Sequence, residues 1–181
     1  DFSGASKTDW TDFSFGVGSS TQGNGQFTFD IPPAGQPLFF ASSQTTRTFD
    51  VVDGQQIEFS VDLVTGYGKD SFAILSWIPT AQSVSKLAGY SIAKSTTDIL
   101  ISKGINKYFY NENPTPASKN DNVTLVLSLT GVGTSVVLEA KVLDKDANNA
   151  ALFDKTFTDT AAADVLSDGT DDPAAAYMGS G

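Results

Sequence analysis

Apolar and polar residues alternate at period two through much of the chain, which is the pattern of strands with one buried face. In Ile57-Glu58-Phe59-Ser60-Val61-Asp62-Leu63 the odd positions are predicted to face a core and Glu58, Ser60 and Asp62 to face water. Val123–Leu129 repeats the pattern with a nearly two-sided apolar character, and Val136–Val142 repeats it with Glu139 and Lys141 outside. Between them, Thr130-Gly131-Val132-Gly133-Thr134 predicts a short glycine-bearing hairpin, and Asp53-Gly54 predicts another turn. Further strands are predicted at Gln26–Phe29, Pro37–Ala41, Arg47–Val52, Ser71–Ile78, Tyr90–Ala93, Ile99–Ser102, Lys107–Tyr110 and Leu152–Thr158. They recur at roughly the 8–12-residue spacing of a sandwich or barrel. Helix signals are nearly absent; single helical turns are predicted at Ala161–Ala163 and within Asp172–Tyr177. Asn111–Asn122, with two prolines and four Asn, reads as a loop, and residues 161–181 read as a loop-like end to one β-sandwich domain spanning 1–181.

Composition narrows the chemistry. The 181 residues contain no Cys and no His, which removes disulfides, thiol catalysis, Ser-His-Asp hydrolysis and His or Cys metal sites. Twenty-one acidic against 11 basic residues give a net charge of −10, which disfavours nucleic acid as a partner because phosphates want a basic stripe. No apolar run approaches the roughly 18 residues of a membrane span. Most of the acids are Asp; Glu58, Glu112 and Glu139 are the only Glu. Asp favours turns and caps, where its short side chain bonds nearby backbone. Few basic residues, no Cys and many Thr, Ser, Gly and Asn predict an exported protein, extracellular or at the cell surface. A chain starting at Asp1 fits a mature form.

Several segments carry a family resemblance: Asp1-Phe2-Ser3, Asn24-Gly25-Gln26-Phe27-Thr28-Phe29, the run Phe49–Leu63 and the strand Asp70–Trp77. In that order they resemble the concanavalin A-like or laminin-G-like jelly roll. Asp121–Asp159 is also similar to modules of large secreted bacterial proteins. The resemblance implies an all-β fold, an antiparallel two-sheet β-sandwich of jelly-roll type. Such folds usually close with paired first and last strands, and no apolar strand follows the acidic loop here. The closing strand is then Leu152–Thr158, or absent, or supplied by a partner across an open edge.

Three constellations could carry chemistry. Glycosidases of the resembled fold place acids on one strand as Glu-x-Asp-x-x-Glu, and that motif is missing. Glu58 and Asp62 share a strand face but lie roughly 13 Å apart at the usual rise, too far for either glycosidase geometry, and read as solvated acids. Asp144-Lys145-Asp146-Ala147-Asn148 opens like a calcium loop, yet Asn149 and Lys155 stand where that loop needs Gly and Glu, so it reads as a hairpin turn. The resemblance separately implies one structural Ca²⁺ near the termini, for which Asp1, Asp159 and Asp164 are the candidates.

Exposed aromatic rings stack on sugar faces while amides and carboxylates bond the hydroxyls. Among Trp10, Trp77, Tyr67, Tyr90, Tyr108 and Tyr110, the strand Tyr108-Phe109-Tyr110 offers the best cluster. With Phe109 in the core, alternation puts Tyr108 and Tyr110 outside, beside Asn111. Trp77, with apolar residues on both strand faces, reads as core. The expected function is therefore a non-enzymatic extracellular module that binds carbohydrate, as a polysaccharide or surface glycan, or another cell-surface ligand. A structural or adhesive subunit, self-associating through sheet edges or strand exchange into a filament or surface layer, is the alternative.

Overall fold

The computed structural model describes residues 10–15, 19–23, 26–30, 40–63, 73–79, 89–95, 98–104, 107–112, 122–162 and 174–180. Side chains are described for 50–63, 73–77, 89–95, 98–104, 107–111 and 122–162. The described residues form thirteen strands: β1 (Trp10–Phe15), β2 (Ser19–Gly23), β3 (Gln26–Asp30), β4 (Phe40–Phe49), β5 (Gln56–Asp62), β6 (Ala73–Pro79), β7 (Tyr90–Lys94), β8 (Ile99–Lys103), β9 (Lys107–Glu112), β10 (Val123–Val132), β11 (Ser135–Asp144), β12 (Ala150–Asp159) and β13 (Ala174–Ser180). They form a seven-stranded sheet in the order β1-β4-β13-β6-β7-β8-β9, a four-stranded sheet β12-β11-β10-β5, and a β2-β3 ribbon. All strand pairs are antiparallel. The fold is thus an antiparallel two-sheet sandwich, one of the two architectures the strand spacing allows and the one the family resemblance implies.

The core lies between the sheets. Leu75, Trp77, Tyr90, Ile92, Ile99 and Ile101 enter it from the large sheet, and Phe59, Leu125, Leu127, Leu129, Leu138 and Val142 from the small one. Alternate residues of β10 and β11, Val123 to Leu129 and Val136 to Val142, are fully buried because period-two geometry sends alternate side chains to the same face. The two-sided character of β10 also has a cause. β10 lies between β5 and β11, and on its outer face Ser128 Oγ donates to Glu58 at 2.9 Å.

Turn chemistry fixes the register. Gly54 takes φ +73° at the Val52–Gln55 turn, closed by the Gln55 amide donating to the Val52 carbonyl at 3.1 Å. The neighbouring β10–β11 hairpin locks onto it: the Gly133 amide donates to Asp53 Oδ1 at 2.7 Å and the Gly54 amide to the Gly131 carbonyl at 3.0 Å. At Gly131 the chains approach so closely that a Cβ would overlap the Val52 carbonyl oxygen. Asp144 does not form a calcium loop. Its Oδ1 accepts the amides of Asp146 and Ala147, and Asn148 and Asn149 turn the chain with positive φ.

The C-terminal residues differ from the loop-like reading. Ala174–Ser180 form β13, which pairs with β4 on one side and β6 on the other. The closing strand therefore comes from the chain itself and sits inside the large sheet, with β4 between β1 and β13. Its alanines, poor strand formers, gave no alternating signal. Pro37–Ala41 and Arg47–Val52 also differ: one strand, β4, runs through Phe40–Phe49 and takes in the end of the first and the start of the second, while residues 37–39 lie outside the described residues.

Candidate functional site

β9 is the edge strand of the large sheet, and its register is interrupted. Ile101 pairs with Tyr110 while Ser102 pairs with Tyr108, so Phe109 is an extra residue in β9. A bulge of this kind sends residues on its two sides to opposite faces. Tyr108 and Tyr110 therefore do not share a face, contrary to the simple alternation. Tyr110 follows Ile101 toward the core, its ring 4.9 Å from Phe153 and 6.3 Å from Phe157. Phe109 packs against Tyr90 at 6.4 Å and Phe157 at 6.1 Å. Tyr108 points outward and is 54% exposed, and Asn111, paired with Leu100, is exposed as well.

Tyr108 ends a row of outward positions that crosses the neighbouring strands. Leu75-Ser76-Trp77, Tyr90-Ser91-Ile92 and Ile101-Ser102-Lys103 each place a serine between inward residues. The register aligns them as Ser76, Ser91, Ser102 and Tyr108 across β6 to β9. The Ser91 and Ser102 hydroxyls bond each other at 2.8 Å. Trp77 lies on the other face, buried and stacked on Tyr90 at 6.1 Å.

Asp159 occupies a different environment from a cation site. It ends β12, has no exposed surface, and takes hydrogen bonds from Tyr90 Oη at 2.9 Å and the Ala161 amide at 3.2 Å. Lys103 Nζ lies 2.9 Å and Lys107 Nζ 2.6 Å from its oxygens. These two lysines flank the β8–β9 turn on the inward side, so the acid ties the edge of one sheet to the edge of the other. Burial pushes the carboxyl upward, but the bonds from Lys107, Lys103, Tyr90 and the Ala161 amide outweigh it and hold it well below the usual carboxylate range. The donors do not fit a calcium ion here, because the carboxylate oxygens already face ammonium groups and a dication would meet two like charges. Asp1 and Asp164 lie outside the described residues, as does Tyr67, and the side chain of Trp10 is not among those described. Among the described residues, no group of three or more acids is placed to hold a metal.

Glu58 and Asp62 face outward on β5, each tied to a neighbour. Asp62 accepts from Lys145 Nζ and from Thr124 Oγ1, both at 2.6 Å. Those bonds hold its carboxyl below its ordinary value, the opposite of what a proton donor to a leaving group needs.

No family model matches the sequence, and no curated protein matches it. Among solved structures, the crystal structure of the Emp46p carbohydrate recognition domain in its potassium-bound form is similar, with a TM-score of 0.54 and 11% identity. The likeness covers 96% of this chain and 81% of that one. At this identity it supports the fold.

Proposed function

We propose that this domain is a non-enzymatic carbohydrate-binding module whose ligand lies against Tyr108 and Asn111 on the outward face of the large sheet. The observation that carries the reading is Tyr108 itself, an exposed ring on a strand whose other aromatic side chains turn inward. A ring so placed offers a flat apolar face for a pyranose, and the Asn111 amide offers a donor and an acceptor for its hydroxyls. The likeness to a carbohydrate recognition domain is in keeping with this use, and so is an extracellular or cell-surface location. Tyr110 takes the part of a packing residue behind the site. A glycan array with wild type and Tyr108→Ala tests the reading. Retention on at least one glycan, lost in the variant, is expected; no retention on any glycan, or equal retention by both proteins, refutes it.

A further inference from the structure

β5 ends the small sheet, and one side of its backbone is unused. The Leu63 amide donates to the Val123 carbonyl at 2.8 Å, and the Gly131 amide to the Gln55 carbonyl at 3.2 Å. In an antiparallel pair, residues that bond across alternate with residues whose amides and carbonyls point away. The odd-numbered residues from Gln55 to Leu63 therefore bond β10, and the backbone groups of Gln56, Glu58, Ser60 and Asp62 point out of the sheet. All four residues are exposed, and among the described residues no strand pairs with them on that side.

Two other edges, β9 and β12, are blunted. β9 carries the extra residue Phe109 and begins with Lys107; β12 carries an extra residue at Leu152, and Lys155. Bulges and edge lysines resist the addition of a further strand. β5 has neither: its seven residues pair with β10 without a register shift and include no Lys and no Pro. Its inward side is also less covered than its neighbour's. Ile57 and Val61 are half-buried, while Leu129 and Leu125, their pairing partners on β10, have no exposed surface. The large sheet supplies a floor for one more strand. β12 lies over β9 and β10 over β6 and β7, so the small sheet stops near β6 while the large sheet runs on through β13, β4 and β1.

We infer that the free edge of β5 is a strand-addition site for an extended segment of another protein. Backbone groups of that segment pair with those of Gln56, Glu58, Ser60 and Asp62. Its alternate residues are apolar and complete the cover of Ile57 and Val61. The residues between them are basic or hydroxyl-bearing, because they lie opposite an outward row of β5 that holds two acids and no base. A second copy cannot bring its own β5 to this edge. Pairing through the outward backbone groups would put both large sheets on the same side, where their strands beyond β6 would collide. The inference is independent of the carbohydrate reading, since β5 belongs to the small sheet and Tyr108 to the large one.

The probe is the peptide Lys-Val-Thr-Val-Lys-Ile-Thr, which pairs antiparallel with Asp62 to Gln56 and sets its lysines opposite Asp62 and Glu58. A second peptide carries Glu in place of both Lys. Amide hydrogen exchange by NMR on the whole chain is the readout. The Glu58, Ser60 and Asp62 amides are expected to exchange fast in the free protein and to become protected as the lysine peptide is added. The glutamate peptide should bind about tenfold more weakly, and Glu58→Lys should erase that difference. Ser60→Pro removes an outward amide without touching a bond to β10, so it should abolish binding and leave the melting midpoint within about 3 °C. No protection by the lysine peptide overturns the proposal. Equal binding of both peptides to the wild-type protein overturns the stated chemistry of the partner. Protection already present in the free protein assigns the edge to this chain's own segments, and protection that grows with protein concentration assigns it to a second copy; either result overturns the proposal.

Discussion

Replacing Asp159 with Asn removes one charge from the place where the two sheets are tied at their edges. The side chain has no exposed surface and takes four hydrogen bonds, of which those from Lys103 and Lys107 are charge-assisted. Asn keeps the shape but leaves two ammonium groups facing a neutral amide, and the Lys103 side chain is only 10% exposed. Taking one partner from a buried pair costs about 3–5 kcal/mol, because the remaining charge loses its compensation. For a domain of this size that lowers the melting midpoint by roughly 10 °C. The assay is urea denaturation of both proteins across pH. Asp159 has a folded-state pKa below its unfolded value of about 3.9, so the unfolded chain binds the extra proton. The stabilisation is then fully present above about pH 4 and is lost as pH falls toward the folded value, so the two stability curves should converge in acid. A loss under 0.5 kcal/mol at neutral pH refutes the reasoning, as does a difference that stays constant below pH 4. Should the variant fail to fold, Lys107→Met tests the same tie from its half-exposed end and should cost less than Asp159→Asn.

The loss on Asp159→Asn should be the same in calcium and in chelator, since lysines hold the carboxylate; a loss seen only with calcium would make Asp159 a metal ligand. Tyr108→Ala should leave stability within about 0.5 kcal/mol of wild type, whereas Tyr110→Ala should cost about 2 kcal/mol by urea denaturation, less than a fully buried ring. Equal costs would place both rings in the same environment and refute the bulge. Gly131→Ala should cost about 1–3 kcal/mol, because the new Cβ must push apart two hairpins joined through backbone; a neutral result by calorimetry would refute the close approach. Lys145→Ala should raise the Asp62 pKa toward its ordinary value in a carboxyl-detected NMR titration, with little change in stability. An unmoved Asp62 would mean that the ion pair does not persist in solution.

Strands with one apolar face and one polar face were legible from sequence because burial imposes the alternation directly. β5, β10 and β11 lie close to the predicted spans, and so do the turns at Asp53-Gly54 and Gly133. β2, with sequence Ser-Ser-Thr-Gln-Gly, has no apolar face to read, and β13 is rich in small residues. The bulge at Phe109 was invisible for another reason. Alternation assumes one residue per register step, and a single inserted residue reverses every inference beyond it. That is why Tyr110 reads as a partner of Tyr108 in sequence yet packs on Phe153. The Asp159 tie joins residues 52 and 69 positions apart, and nothing local in either segment marks it.

The acid excess takes on meaning once the charges are placed. Asp53 and Asp144 accept backbone amides in turns, and Asp159 pairs with Lys103 and Lys107. Glu58, Asp62 and Glu139 lie with Lys141 and Lys145 on the outer face of the small sheet, where ion pairs and hydroxyls offset them. One face of the sandwich is therefore strongly polar and mixed in charge. The opposite face, on which Tyr108 and the serine row lie, carries no charge in its two central rows. The two faces therefore differ in charge because the acids and lysines of the small sheet's outer face pair with one another and with neighbouring hydroxyls, whereas the lysines of β7 to β9 turn inward, two of them onto Asp159.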